Sequence, residues 1–336
     1  MGSNKHRFDD EFIISDLRVL VYVIGYKNYG ESTLFLILNG NDVYYSVVID
    51  SYHIRKRENL PFINKAVDIL NKYRVDHLDL LCWTHPHDDH SKGIGTILNK
   101  FCDKETVVIF PAYIQDNTAD IIKLNRVSKD SIKKLLKVNK ENKICANPIS
   151  VVKGRYNSID EFLISNPFDI DDTRKVTIDV ITPISNRLMS YVNESFCKDP
   201  NELSITLIID IDGYSFYFGG DTTNEHIDIS NKERLKKCRF VKIPHHASET
   251  ADHLLKYLPV DNLDAVCTTV FKWGKSVLPK REVIQYYQRY LRDIYSTNKD
   301  FKKNGYGIIE YEYDFATGSP ACSVHTQGNV GLLDIV

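Results

Sequence analysis

The stretch CWTHPHDDHSKGIG, residues 82–95, sets His85, His87 and His90 beside Asp88 and Asp89, directly behind the apolar run HLDLLCW. The run reads as a buried strand. Polar side chains crowded against the end of such a strand cost free energy unless something binds them. Side chains alternate along an extended chain, so His85 and His87 share one side. Asp89 and His90 follow where the chain turns into the next helix. Imidazoles with a carboxylate suit zinc, manganese or iron, and the donors outnumber the needs of one tetrahedral ion. Two ions about 3.5–4 Å apart use such a set when a further carboxylate bridges them. The plainer alternative is a capped strand end with incidental histidines.

Outward from this stretch the chain alternates strands and helices. Residues 32–50, STLFLILNGNDVYYSVVID, read as two strands about a tight turn at Asn39-Gly40. In residues 60–74, Phe62, Ile63, Ala66, Val67, Ile69, Leu70 and Tyr73 fall at helical spacing. KGIGTILNKF reads as a short helix and TVVIFP as a strand. VTIDVITP, SITLIIDI, YSFYFGGD, CRFVKIPHH and LDAVCTTV are further strands, and PKREVIQYYQRYLRDI is a late helix. The alternation of GIIEYEYDF and a turn at ATGSPA predict a C-terminal hairpin over about 307–327. Residues 113–147 stand apart as a lysine-rich helical insertion. The pattern predicts one α/β (α+β) domain over 1–336, two mixed sheets face to face with helices outside. Short polar turns at the strand ends would carry the chemistry.

Composition narrows the function classes. A net charge of -2 gives no whole-molecule attraction for polyanions, so a nucleic-acid site needs a local basic patch. No run has the length of a membrane span, and the first residues lack an apolar signal core. The seven cysteines occur singly, which reads as reduced thiols and a cytoplasmic protein.

The motif THPHDDH resembles the metal signature of the metallo-β-lactamase superfamily, and the likeness extends in order along most of the chain. Asp50 closes VVID where the family has its first-motif aspartate. FYFGGDTTNEH resembles the later G-D motif, which makes Asp221 the bridging ligand. VKIPHHASET and NELSITLIIDIDGYSFYFGGD resemble the H-H-G-S and N-x-S-L-V-L blocks of one branch. That branch includes the hydrolase domain of DNA-uptake competence proteins and the phosphorylcholine esterases. The resemblance implies an αββα sandwich holding one or two divalent ions, zinc or manganese. Its ligands would be His85, His87, Asp89, His90, Asp221 and His246. It assigns catalytic roles to Asp89, to Asp50 as support of the metal site, and to His245, which would donate a proton or hold a phosphate oxygen.

Two positions depart from the family. No histidine lies between His90 and Asp221, and Leu278 stands where the branch often has a histidine. A second ion would then lean on oxygen ligands and water, which suits manganese; a one-metal site is the alternative. The implied reaction is hydrolysis of a phosphodiester, in nucleic acid or a nucleotide, by a metal-bound hydroxide. A small-ester, lactone or β-lactam hydrolase is one alternative, and a metal-stabilised sensing module with little turnover is another.

Basic clusters offer a substrate surface. Lys236, Lys237 and Arg239 precede KIPHHASE, and Lys272 and Lys275 lie in KWGKSVLPKR. The expectation is that these five flank the metal motifs and hold phosphates. The lysines from Lys123 to Lys143 read as an ordinary solvated helix face. His53, three residues past Asp50, is a supporting candidate. The 20 tyrosines fall mostly in strand-like patterns and read as packing.

Overall fold

The structure, a computed structural model, describes residues 11–26, 29–55, 62–112, 114, 124–187, 199–291, 293–299, 306–315 and 320–333. Two large mixed sheets dominate. The first has eight strands in the order Ala321–Gly328, Tyr306–Asp314, Leu17–Tyr26, Glu31–Asn39, Asp42–Ile49, Leu80–Cys82, Val107–Pro111 and Cys145–Ile149. The second has nine: Glu11–Ile13, Asn157–Asn166, Asp169–Thr182, Thr206–Ile211, Tyr214–Phe218, Cys238–Lys242, Ala265–Thr268, Ile294–Ser296 and Gly331–Leu332.

Burial explains why so many strands are continuous apolar runs. Glu31–Asn39 is buried from Glu31 to Leu38. Phe35 and Ile37 meet the second sheet, packing with Phe216, Phe218 and Ile209. Leu34, Leu36 and Leu38 point the other way, toward helices Lys65–Lys72, Ile94–Phe101 and Arg126–Lys140. The second sheet is covered on its outer face by Asn224–Ile229, the 3-10 segment Glu249–Lys256, and Arg281–Gln288. The layers therefore run helices, sheet, sheet, helices, as the alternation of elements predicts.

Several details differ from the sequence reading. Phe62–Ile63 form a short strand, so the first helix begins at Lys65, capped by the Asn64 side chain. The lysine-rich segment is helical over Arg126–Lys140, but it is no appendage. Ile132 and Leu135 are buried in the outer core, and Cys145–Ile149 is the edge strand of the first sheet. Residues 113 and 115–123, Cys197, most of the loop expected at 185–201, and residues 316–319 of the expected turn lie outside the described residues. The C-terminal hairpin pairs Tyr306–Asp314 with Ala321–Gly328. Its inward side chains Ile309, Tyr311 and Tyr313 are buried. The hairpin of Asn157–Asn166 with Asp169–Thr182 was not anticipated for its first strand, whose alternation is interrupted by polar residues. Among the described residues no helix is long and apolar enough to cross a membrane.

Parallel pairing decides where chemistry collects. Asp42–Ile49, Leu80–Cys82 and Val107–Pro111 run parallel, as do Tyr214–Phe218, Cys238–Lys242 and Ala265–Thr268. Parallel strands deliver their carboxyl ends, and the loops behind them, to one edge. Asp50, Thr84, Asp221, His245 and Thr269 each lie just past such an end. Glu31 opens a strand antiparallel to Asp42–Ile49, so it reaches the same edge from the opposite direction.

Candidate metal centre

The turn after Leu80–Cys82 is held at both ends. The Trp83 indole donates to Ser91 Oγ at 3.2 Å. The helix Arg126–Lys140 braces it through Ser128 Oγ to Asp88 Oδ1 at 3.2 Å and Ser131 Oγ to the Ser91 carbonyl at 3.0 Å. Gly93 is needed because its backbone lies against Ser51, where a Cβ would come within 2.3 Å of Ser51 Oγ. Gly220 combines φ 52° with the same tightness, a Cβ meeting Thr84 Cβ at 2.9 Å. The Ile205 N–H donates to the Thr84 carbonyl at 2.9 Å and joins the two sheets at this edge.

Three imidazoles are anchored from behind. Asp50, 1% exposed, accepts from the Thr84 N–H at 2.7 Å and from Thr84 Oγ1 at 2.6 Å. A hydroxyl has one hydrogen, so Thr84 Oγ1 then accepts from His85 Nδ1, 3.0 Å away. Asp50 Oδ2 also accepts from His90 Nδ1 at 2.6 Å. A second relay matches the first: Thr269 Oγ1 donates to Glu31 Oε2 and accepts from His246 Nδ1 at 2.8 Å. Each ring therefore carries a hydrogen on Nδ1 and turns Nε2 inward.

The inward atoms converge on Asp221. His90 Nε2 lies 3.3 Å from Asp221 Oδ1; His246 Nε2 and His85 Nε2 lie 3.7 and 3.8 Å from Oδ2. Asp89 Oδ2 is 3.1 Å from His246 Nε2 and 3.5 Å from His90 Nε2. His87 Nδ1 is 3.2 Å from His85 Nε2. Among the described residues two donor groups face inward, Asp89 with His90, Asp221 and His246, and His85 with His87 and Asp221, and a third set, Glu31 with Asp50 and His90, lies behind them. Asp221 belongs to both inward groups. Among the described residues, His90 Nε2 and Asp221 Oδ1 are buried atoms with no hydrogen-bond partner although they face each other.

Electrostatics agree with a cation between these groups. Burial pushes His85 well below the ordinary imidazole range, with His90 adding to it, so His85 is a neutral donor. Burial also opposes charge on His90 and His246, but Asp221 and the other carboxylates outweigh it and raise both. Burial would raise Asp89 and Asp221, yet His90 and His246 hold both carboxylates well below their usual range. Deprotonated carboxylates facing imidazole Nε2 atoms are stable with either protons or a metal ion between them. Mixed nitrogen and oxygen donors suit zinc or manganese.

The expected ligands His85, His87, Asp89, His90, Asp221 and His246 thus lie together. Asp50 stands behind them and meets two of the rings through hydrogen bonds. His245, 17% exposed on its side chain, sits at the mouth, its Nε2 4.0 Å from Asp221 Oδ2 and 3.2 Å from Asn201 Nδ2. The substrate lysines separate into two sets. Lys272 and Lys275 are exposed on the hairpin of Phe271–Trp273 with Ser276–Leu278. The Phe271 ring stacks on His246 at 5.1 Å and 15°. Lys236, Lys237 and Arg239, expected beside the metal motifs, are instead toward the opposite end of Cys238–Lys242 from His245, roughly 10 Å or more from the strand's exit at about 3.3 Å per residue. There Lys236 pairs with Glu233, and Arg239 donates to the Asn262 carbonyl. A parallel strand carries its entry residues away from the edge its exit residues build. Leu278 is a buried side chain at the end of the hairpin. His53 is half-buried, packs against Phe62 with ring centroids 4.1 Å apart at a tilt of 38°, and belongs to neither donor group.

Sequence reasoning missed Glu31, Lys242, Thr84, Thr269 and Asn201. For the first two a signal was present: Glu31 is the one charge in ESTLFLILN, and Lys242 directly follows the apolar pair Phe240-Val241 in CRFVK. Buried, such charges demand a partner, and Lys242 Nζ meets Glu31 Oε1 at 2.6 Å with both residues 2% exposed. Neither a known protein family nor a curated protein matches the chain.

Proposed function

We propose that the chain is a divalent-metal-dependent hydrolase of the metallo-β-lactamase kind, acting on a phosphodiester in nucleic acid or a nucleotide. The observation that carries this reading is the convergence of three outward-anchored imidazoles on Asp221, with a buried His90 Nε2 and Asp221 Oδ1 facing each other unbonded. His85, His87 and Asp221 would hold one ion; Asp89, His90, His246 and Asp221 would hold another. Bound there, such ions supply Lewis acidity toward a phosphoryl oxygen and an acidified water.

The protein's own groups then divide the remaining work. Asp221, shared by both donor groups, fixes their separation. Asp50 and Glu31 keep the rings turned inward and keep their Nδ1 hydrogens in place. His245 is held below the ordinary imidazole range, by burial first, and its Nδ1 lies 2.6 Å from Thr250 Oγ1. Its Nε2 accepts from Asn201 Nδ2, and the neutral ring would take up or return a proton there when that contact opens. Lys272 and Lys275 are exposed on the hairpin whose Phe271 ring stacks on His246, and for a substrate reaching that hairpin their charge would favour a phosphodiester over a neutral ester.

The test is elemental analysis together with hydrolysis of bis(p-nitrophenyl) phosphate after loading with Zn2+ or Mn2+. One to two equivalents of metal and metal-dependent turnover are expected, with Asp221→Ala folded but inactive. A protein that binds neither ion overturns the reading. One that binds metal without turnover on phosphodiesters supports a sensing module.

A further inference from the structure

A buried ion pair lies directly behind the donor groups. Glu31 and Lys242 come from different sheets, Glu31 at the start of Glu31–Asn39 and Lys242 at the end of Cys238–Lys242. Breaking such a pair is costly, but replacing it with apolar residues is often harmless, so stability alone does not explain it. Its orientation does. Glu31 Oε1 takes Lys242 Nζ at 2.6 Å and lies 3.7 Å from His90 Nδ1. Glu31 Oε2 takes the Thr269 hydroxyl and lies 3.4 Å from His246 Nδ1.

We infer that Glu31 is a positioning residue that sets which nitrogen of His246 is free to bind metal, acting through Thr269 with Lys242 fixing its polarity; this rests on the metal-centre reading above. A carboxylate can only accept, so the Thr269 hydrogen goes to Glu31 and the Thr269 oxygen accepts from His246 Nδ1. Nε2 then faces Asp89 Oδ2 at 3.1 Å and Asp221 Oδ2 at 3.7 Å, where it carries a hydrogen that a metal ion can replace, because Nδ1 keeps its own. The direction of the whole relay follows from one acceptor at its far end.

The relay can be run backwards. In Glu31→Gln the Lys242 ammonium requires an oxygen opposite it, which turns the amide NH2 toward Thr269. Thr269 then accepts from the amide and donates to His246 Nδ1. The ring's remaining hydrogen is then on Nε2, where it blocks the donor position. A side chain with a purely structural role has no such effect on the ring.

The experiment is calorimetric titration of Zn2+, paired with long-range nitrogen–proton spectra of histidine-labelled protein. Wild type is expected to show His246 protonated on Nδ1, with the Nε2 hydrogen lost as Zn2+ binds. Glu31→Gln is expected to show the His246 ring hydrogen on Nε2, with Zn2+ affinity about 10–100-fold weaker, the usual effect of losing a ligand's orienting partner. Glu31→Gln/Lys242→Met frees the amide to turn, and is expected to restore Nδ1 protonation and part of the affinity. Thr269→Val, uncharged and similar in volume, carries the test if Glu31→Gln does not fold, and is expected to weaken Zn2+ at least several-fold. Wild-type affinity with Nδ1 protonation retained in Glu31→Gln, or in Thr269→Val if that variant alone folds, overturns the inference. If wild type itself binds neither Zn2+ nor Mn2+, the metal reading falls. The His246 spectra of metal-free wild type and Glu31→Gln at alkaline pH then decide the role of Glu31 alone.

Discussion

Asp50, His245, His246 and Ala247 all have φ between 50° and 57°, in the left-handed region that residues with a Cβ rarely occupy. Such conformations cost on the order of 1 kcal/mol or more each and gather at functional sites. Here they let the chain leave a strand end and double back at once, so that a backbone bound for the next helix aims a side chain into the site. His53 lies near the same edge and answers to different physics. Burial, helped by Lys92, lowers it to about 4 from an ordinary 6.5. Between those values the unfolded chain holds the extra proton, so this residue makes stability rise with pH across that window and fall on acidification. Its half-exposed ring is screened by water, which keeps the effect modest. Replacing it as His53→Gln is expected to make the Tm fall less steeply from pH 6.5 to pH 4 than in wild type. Parallel melting curves over that range would show that His53 titrates normally in the folded state.

At the scale of elements, two pieces of the chain bear on the site from opposite directions. The helix Arg126–Lys140 clamps the Asp88–Ser91 turn from the side away from the metal donors. Ile132, 1% exposed, anchors it in the outer core. Ile132→Ala is expected to destabilise the fold by about 2–4 kcal/mol, measured by urea unfolding; a loss near zero would mean that the helix packs only superficially. The hairpin of Phe271–Trp273 with Ser276–Leu278 bears on the mouth. Lys272→Ala/Lys275→Ala is expected to weaken binding of a single-stranded oligonucleotide and to reduce its salt slope by about 1–2. Lys236→Ala/Lys237→Ala is expected to change neither, and a salt titration in which the two pairs behave alike would remove the hairpin from the substrate path. The sequence was most legible where a residue's chemistry is local. The ligands of 85–90 share one turn, and Asp221 and His246 sit in recognisable turns of their own. It was least legible for Glu31, Thr269 and the five basic residues, whose positions depend on which end of which strand faces the site. Strand direction in a sheet is a property of pairing partners far away in the chain, and no local spacing encodes it.

At the scale of the whole molecule, four of the six donor residues, His85, His87, Asp89 and His90, come from the first sheet's edge, with Asp50 behind, and Asp221 and His246 come from the second. A divalent ion bound there would bind the native state alone and stabilise it by linkage. Zn2+ or Mn2+ at about 100 times its Kd contributes about 2.7 kcal/mol, or roughly 3–5 °C in Tm for a chain of this length. Differential scanning with and without a chelator checks this, and an unchanged Tm would mean that the ions do not hold the sheets together. The alternating strand and helix pattern was enough to anticipate four layers, because apolar runs buried on both faces need cover on both sides. It could not show that the layers meet at a single edge of shared donors. The division of donors between distant parts of the chain also has a consequence in time. His90 and His246 are separated by 156 positions, which a ribosome adding about 5–20 residues per second covers in roughly 8–30 s. For most of that interval, until Asp221 follows 131 positions after His90, the emerged part displays a histidine-rich turn without the carboxylate that both inward donor groups share. A metal picked up then would be held by an incomplete set of donors, so under the proposed function the ion that stays would be decided late, by what the finished edge selects.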